Sequence, residues 1–290
     1  MAAFRFSQVD VFASRPLGGN PVAVVHGADD LDDSTMAAFA RWTNLSETTF
    51  LLRPTTPEAD YRLRIFTPGG ELPFAGHPTL GSAHAWLENG GRPRRAGAVV
   101  QECAAGLVTL RLADTGIAFA APPLIRFGKV DEEDLRLAVT ALQISPADLV
   151  ASSWVDNGPG WMGLQLTDAR LVRELRPDFS RFEGLRIGVI GAYPEATGGS
   201  HTPGTPVDRP ADFEVRAFVP GIGVPEDPVT GSLNAGLAQW LIGTGAAPEK
   251  YTVSQGTQLG RAGIVGIEKA GADIWVSGAT STVISGSLEI

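Results

Sequence analysis

The chain is 290 residues long, 43% hydrophobic and 19% charged, apolar enough for two cores at a length where single cores tend to divide. Its net charge of −9 and pI near 5.0 argue against nucleic acid or an anionic membrane as partner. No stretch approaches the roughly 18 apolar residues of a membrane span, and residues 1–6 lack the apolar core of a signal peptide, so a cytoplasmic location is expected.

In chain order, residues 4–12 and 21–25 read as strands around the turn Arg15-Pro16-Leu17-Gly18-Gly19-Asn20-Pro21. Asp32-Asp33-Ser34 offers caps for a helix over 35–42, followed by the β-branched and aromatic run at 48–52. Residues 59–66 alternate as a strand and lead through a Pro/Gly turn into an apolar helix that Asn89-Gly90-Gly91 stops. Residues 98–121 add strands. Beyond Ala121-Pro122-Pro123, residues 131–142 read as helix, 161–166 as strand and 168–176 as helix. The Gly/Pro/Ser/Thr-rich segment 193–209 is a candidate lid, a plain connector being the alternative. A second strand and apolar helix end at Gly243, and strands with glycine turns fill the rest.

The strongest signal is internal. Residues 59–73 recur without a gap as residues 211–225, seven of fifteen positions being identical, where average residue usage gives about one. The copies lie half a chain length apart, which marks a duplication rather than a short-period solenoid. Each runs into a helix containing Gly-x4-Gly, at Gly76 with Gly81 and at Gly231 with Gly236. A helix-interior glycine costs roughly 1 kcal/mol against alanine, so its use in both helices predicts close packing inside a surrounding sheet. The expected domains are residues 1–121 and 122–290, the last strand being a candidate to return to the first half. Residues 59–87 are expected to superpose on 211–242, with a short shift between Pro225 and the helix.

Strands outnumber helices and strict βα alternation is absent, so the class is α+β rather than a doubly wound sheet. Gly221-x-Gly223 and Gly243-x-Gly245 do not extend to GxGxxG, and no P-loop is present. With one cysteine and no Cys/His cluster, neither a disulfide nor a zinc site is expected. Cys103, in a strand and turn, reads as a core thiol. Pro78 and Pro228 mark helix starts, whose N–H groups would favour an anion such as a substrate carboxylate. The helix dipole would hold His77 neutral. Glu47, between a helix end and an apolar strand, is a candidate acid–base group because desolvation raises a carboxyl pKa; a capping or surface glutamate is the alternative.

Gly18-Gly19-Asn20-Pro21, Asn44-Leu45-Ser46-Glu47-Thr48, Phe66-Thr67-Pro68, Glu71-Leu72-Pro73-Phe74-Ala75-Gly76-His77-Pro78-Thr79 and Glu226-Asp227-Pro228-Val229-Thr230-Gly231-Ser232 resemble, in order and spacing, the signatures of the PhzF-like isomerases of phenazine biosynthesis. The resemblance spans nearly the whole chain. It implies a diaminopimelate-epimerase-like fold, two pseudo-symmetric domains each wrapping a mixed sheet or barrel around a central helix. It also implies an active site in the cleft between them and, commonly in the family, a homodimer. By the same resemblance Glu47 moves a proton between substrate carbons, His77, Asp227 and Ser232 orient substrate and assist, and Asn20, Ser46, Gly76 and Gly231 line the cleft. Val229 stands where alanine is common, and Leu233 follows the serine.

Relatives on this fold that racemise amino acids place one thiol at each helix start. Here His77 and Ser232 occupy those neighbourhoods, so a two-thiol racemase is excluded and a one-base isomerase is favoured. The expected activity is a cofactor-independent shift of a proton and double bond in a small carboxylate-bearing metabolite. A serine hydrolase using Ser232, His77 and Asp227 is a second reading, weakened because Gly231-Ser232-Leu233-Asn234 is not a GxSxG elbow. A non-catalytic anion-binding relative is a third, and the joint presence of the four polar groups speaks against it.

Overall fold

The computed structural model describes residues 2–13, 15–113, 116–194, 211–220 and 224–290. Residues 195–209 of the candidate lid and 221–223 of the second repeat lie outside the described residues. The chain divides into two compact units, one made of residues 1–121 with 270–290, the other of residues 122–269.

The first unit opens with β1 (Ala3–Val11) and β2 (Asn20–His26), then α1 (Asp33–Thr43), β3 (Glu47–Leu52), β4 (Tyr61–Thr67), β5 (Gly70–Leu72), α2 (Gly76–Glu88), β6 (Ala98–Cys103), β7 (Gly106–Ala113) and β8 (Gly116–Ala120). The second contains β9 (Arg126–Gly128), α3 (Glu132–Leu142), β10 (Leu149–Asp156), β11 (Trp161–Leu166), α4 (Ala169–Glu174), β12 (Arg186–Ala192), β13 (Phe213–Phe218), β14 (Glu226–Asp227), α5 (Gly231–Gly243), β15 (Lys250–Gln255) and β16 (Gly263–Ala270). The chain then returns to the first unit as β17 (Asp273–Gly278) and β18 (Thr280–Glu289).

The strands of the first unit pair in the order β18-β1-β2-β3-β4-β6-β7-β8-β17, parallel at β2–β3 and β4–β6 and antiparallel elsewhere. They wrap α2, which touches β1, β2, β3, β4, β6, β8 and β18. The second unit repeats the scheme as β9-β10-β11-β12-β13-β15-β16, parallel at β11–β12 and β13–β15. On the outer face of each sheet lies an amphipathic helix layer, α1 over Val25, Phe50 and Phe66 in one unit, α3 and α4 over Leu164, Val189 and Phe218 in the other.

The duplication extends to individual bonds. Asp60 N–H donates to the Val100 carbonyl at 2.8 Å while its Oδ2 accepts from Val100 N–H at 2.7 Å. Asp212 repeats this clasp on Thr252, at 3.1 and 2.8 Å. Arg64 grips Glu71 through two parallel N–H···O bonds, and Arg216 grips Glu226 in the same way. Glu71 lies opposite Phe66 and Glu226 opposite Phe218. The extra residues of the second copy therefore fall between β13 and β14, not between Pro225 and the helix, and Pro73 corresponds to Pro228. The ungapped sequence match misplaces the shift because proline and glycine recur within residues 219–225.

The Gly-x4-Gly expectation has a steric basis. A Cβ on Gly81 would lie 2.4 Å from Val22 Cγ1, and one on Gly236 would lie 2.3 Å from the Val155 carbonyl oxygen. Both helices thus approach their sheets more closely than alanine permits. Cys103 departs from expectation: it ends β6 at the tight turn into β7, partly exposed, because the turn carries it out of the sheet's buried face.

Candidate active site

Glu47 opens β3, directly after α1 closes on Asn44 in the left-handed conformation. His77 is the second residue of α2, and its Nε2 lies 3.3 Å from Glu47 Oε2, with side-chain exposures of 5% and 15%. On the other side of the ring, Asn20 Nδ2 stands 3.4 Å from His77 Nδ1, and Ser46 Oγ donates to Asn20 Oδ1 at 3.3 Å. Asn20, Ser46, Glu47, Gly76 and His77 are thus brought together within the first unit. Burial pushes the His77 pKa down to about 3, outweighing a hydrogen bond to the Pro21 carbonyl that works the other way. The imidazole is neutral at physiological pH, and burial rather than the helix dipole is the larger cause.

One support in this unit was not read from the sequence. Asp10, buried in β1, accepts a hydrogen bond from Gly19 N–H at 3.0 Å and so fixes the loop that carries Asn20. A Cβ on Gly19 would meet the Val11 carbonyl oxygen at 2.1 Å, which makes glycine obligatory there. The available signal was a lone carboxylate between two buried valines, Val9 and Val11, at the end of β1.

In the second unit Thr230 Oγ1 donates to Asp227 Oδ2 at 2.6 Å. Gln255, also missed in the sequence, accepts from Thr230 N–H and Asn234 Nδ2 and donates to the Asp227 carbonyl and Thr230 Oγ1. Ser232 is the second residue of α5, the place His77 holds in α2. Its Oγ accepts from Trp161 Nε1 at 3.0 Å, and its carbonyl accepts from Asn157 Nδ2 at 2.9 Å. Asp227, Gly231 and Ser232 are therefore gathered at one helix start. Among the described residues of this unit there is no histidine to activate Ser232.

The surface helices α1 and α4 are capped by Asp32 and Asp168, each accepting a backbone N–H. The central helices α2 and α5 have no side-chain cap. Uncapped N–H groups at a helix start are an anion-binding arrangement. Among the described residues no group of three His, Cys, Asp or Glu side chains is placed to hold a metal, and no described helix is long and apolar enough to cross a membrane.

Comparison with known proteins agrees with this architecture. Over the full length of both chains, a PhzF-family phenazine biosynthesis protein of Bacillus anthracis superposes with a TM-score of 0.81 at 21% identity. A hydroxyproline epimerase from Agrobacterium vitis, covering 99% of this chain and 91% of its own, gives 0.55 at 13%, so the α+β fold is the epimerase-like one. In sequence the chain is 36% identical to antisense-enhancing sequence 1 of Schizosaccharomyces pombe, over 99% of each. It is 32% identical to the trans-2,3-dihydro-3-hydroxyanthranilate isomerase of Pseudomonas aeruginosa, over 89% of this chain and 87% of that one. With the family described as phenazine biosynthesis-like protein, PhzC-PhzF, matching residues 9–286, the chain belongs to that family.

Proposed function

We propose that the protein is a cofactor-independent isomerase in which Glu47 takes a proton from one carbon of a small carboxylate-bearing metabolite and returns it to another, the double bond moving with it. The observation that carries this reading is the Glu47 carboxyl 3.3 Å from a buried, neutral His77 at the uncapped start of α2. The transfer is redox-neutral, and the same carboxyl serves as base and then as acid. A neutral imidazole suits both stages. With the proton on Nε2 it can donate to the carboxylate, and with the proton on Nδ1 it can accept from the carboxylic acid. Asn20 and Ser46 hold the ring, and Asp227, Gly231 and Ser232 are proposed to receive the same substrate through the start of α5.

The substrate named for the Pseudomonas relative is a cyclic hydroxy-carboxylate, and the proposal takes from it the chemical class only. The more similar fission-yeast relative has a name that states no reaction. The test is reaction of candidate carboxylates in deuterium oxide. Wild-type protein is expected to place deuterium on a product carbon, and Glu47→Gln to bind but to turn over about 10²- to 10⁴-fold more slowly. Unchanged turnover in Glu47→Gln would overturn the assignment.

A further inference from the structure

The second unit carries its own counterpart of Glu47, and it is a cation. Thr48 pairs with Phe66 in the first unit and Ile187 with Phe218 in the second, and the two phenylalanines are the same position of the duplicated strand. The residue before Thr48 is Glu47, and the residue before Ile187 is Arg186. The register of the neighbouring parallel strands agrees, with Val22 opposite Glu47 and Trp161 opposite Arg186.

We propose that Arg186 is the residue that recognises the carboxylate of the substrate, a role that rests on the isomerase reading above. Paired residues on neighbouring strands share a face, so Arg186 shares the face of Trp161, whose indole bonds Ser232 at the start of α5. Gly188, two residues on and on that same face, would drive a Cβ to within 2.2 Å of Leu233 of α5. The face is therefore the one turned to the central helix.

Arg186 is half-buried, and its Nη1 donates to the Pro159 carbonyl at 2.5 Å. That bond uses one of five N–H donors and holds the guanidinium in place. Among the described residues no carboxylate forms an ion pair with it, whereas the more deeply buried Arg216 is fully matched by Glu226. A cation on the side of a helix start also runs against the helix dipole, so fold stability does not account for its placement. A planar, pre-positioned fork does match a carboxylate. Duplication has thus left a proton-transfer carboxyl at the position in one unit and an anion receptor at the same position in the other.

The test is calorimetric titration of the full chain with benzoate, a six-membered-ring carboxylate, and with benzamide, its neutral isostere. Wild type is expected to prefer benzoate by roughly tenfold or more, the range for a charge-assisted pair. Arg186→Gln should erase the preference, Arg186→Lys should keep part of it, and Glu47→Gln, which removes a negative charge from the proposed site, should not reduce it. Thermal melts of each variant verify that the fold is intact. If wild type shows no preference, or Arg186→Gln retains it, the assignment is overturned. Either result leaves the deuterium test of Glu47 standing on its own, since that test does not depend on benzoate binding.

Discussion

At the scale of single residues, the neutral state of His77 has a consequence for stability. Its folded pKa of about 3 lies below the unfolded value of 6.5. Between those values the unfolded chain binds a proton that the native chain refuses, so stability falls as pH drops through that window, by up to about 1.4 kcal/mol per pH unit. His26, lowered to about 4 by burial and by Arg5, acts in the same direction with less weight because it is more exposed. Urea unfolding of wild type at pH 7, 5.5 and 4.5 should show the decline, and His77→Gln should flatten it; an equal slope in both would contradict the assignment. The residues that touch one another here were readable from the sequence where a motif carried them. Asp10 and Gln255 were not, because each acts through a partner outside its own strand, and a polar residue at the end of a strand gives no hint of what it holds. Arg186 was invisible for a further reason: the resemblance between the copies fades outside residues 59–73 and 211–225, so its kinship with Glu47 shows only in strand register.

At the scale of elements, the duplicated hairpins form an internal experiment on ion pairs. Arg216 and Glu226 are about 5% exposed, and Arg216 also donates to the Leu175 carbonyl at the end of α4. Arg64 and Glu71 are more exposed, at 14% and 36%. Removing one partner of a buried pair costs about 3–5 kcal/mol, whereas an exposed pair contributes about 0–1 kcal/mol. Glu226→Gln should therefore lower the melting temperature far more than Glu71→Gln. It should also loosen Asp227, the next residue in β14, and so raise KM. The glycines of the central helices give a second contrast. Gly81→Ala and Gly236→Ala improve helix propensity by about 1 kcal/mol, yet overlap with Val22 and with the Val155 carbonyl should make both variants less stable by about 1–3 kcal/mol. A rise in melting temperature for either would refute the close-packing argument. The same proximity explains one of two strands that the sequence did not reveal. β12 is interrupted by Gly188 and Gly191, each pressed against a neighbouring element; small residues that permit packing lower the strand signal. β10 contains Ser152, Ser153 and Trp154 and gives no clean alternation.

At the scale of the whole molecule, the second unit is one continuous segment, while the first is completed only by β17 and β18. Residues 122–269 should accordingly fold alone with a cooperative melt, whereas residues 1–121 should not. Circular dichroism of the two fragments checks this, and a sharp melt for residues 1–121 would count against it. The two-part organisation was foreseeable from the repeat and the length. The return of the last strand to the first half is an expectation of the sequence, but its register on β1 is a contact between the two ends of the chain that no local pattern states. That interleaving sets a timetable for synthesis. When β8 leaves the ribosome, β1 and β8 each have one bare edge and α2 lacks part of its cover. They wait while roughly 150 further residues are made, on the order of ten to thirty seconds at about 5–20 residues per second. Unpaired strand edges invite association with other chains, so the nascent first unit is open to such association until the two closing strands arrive.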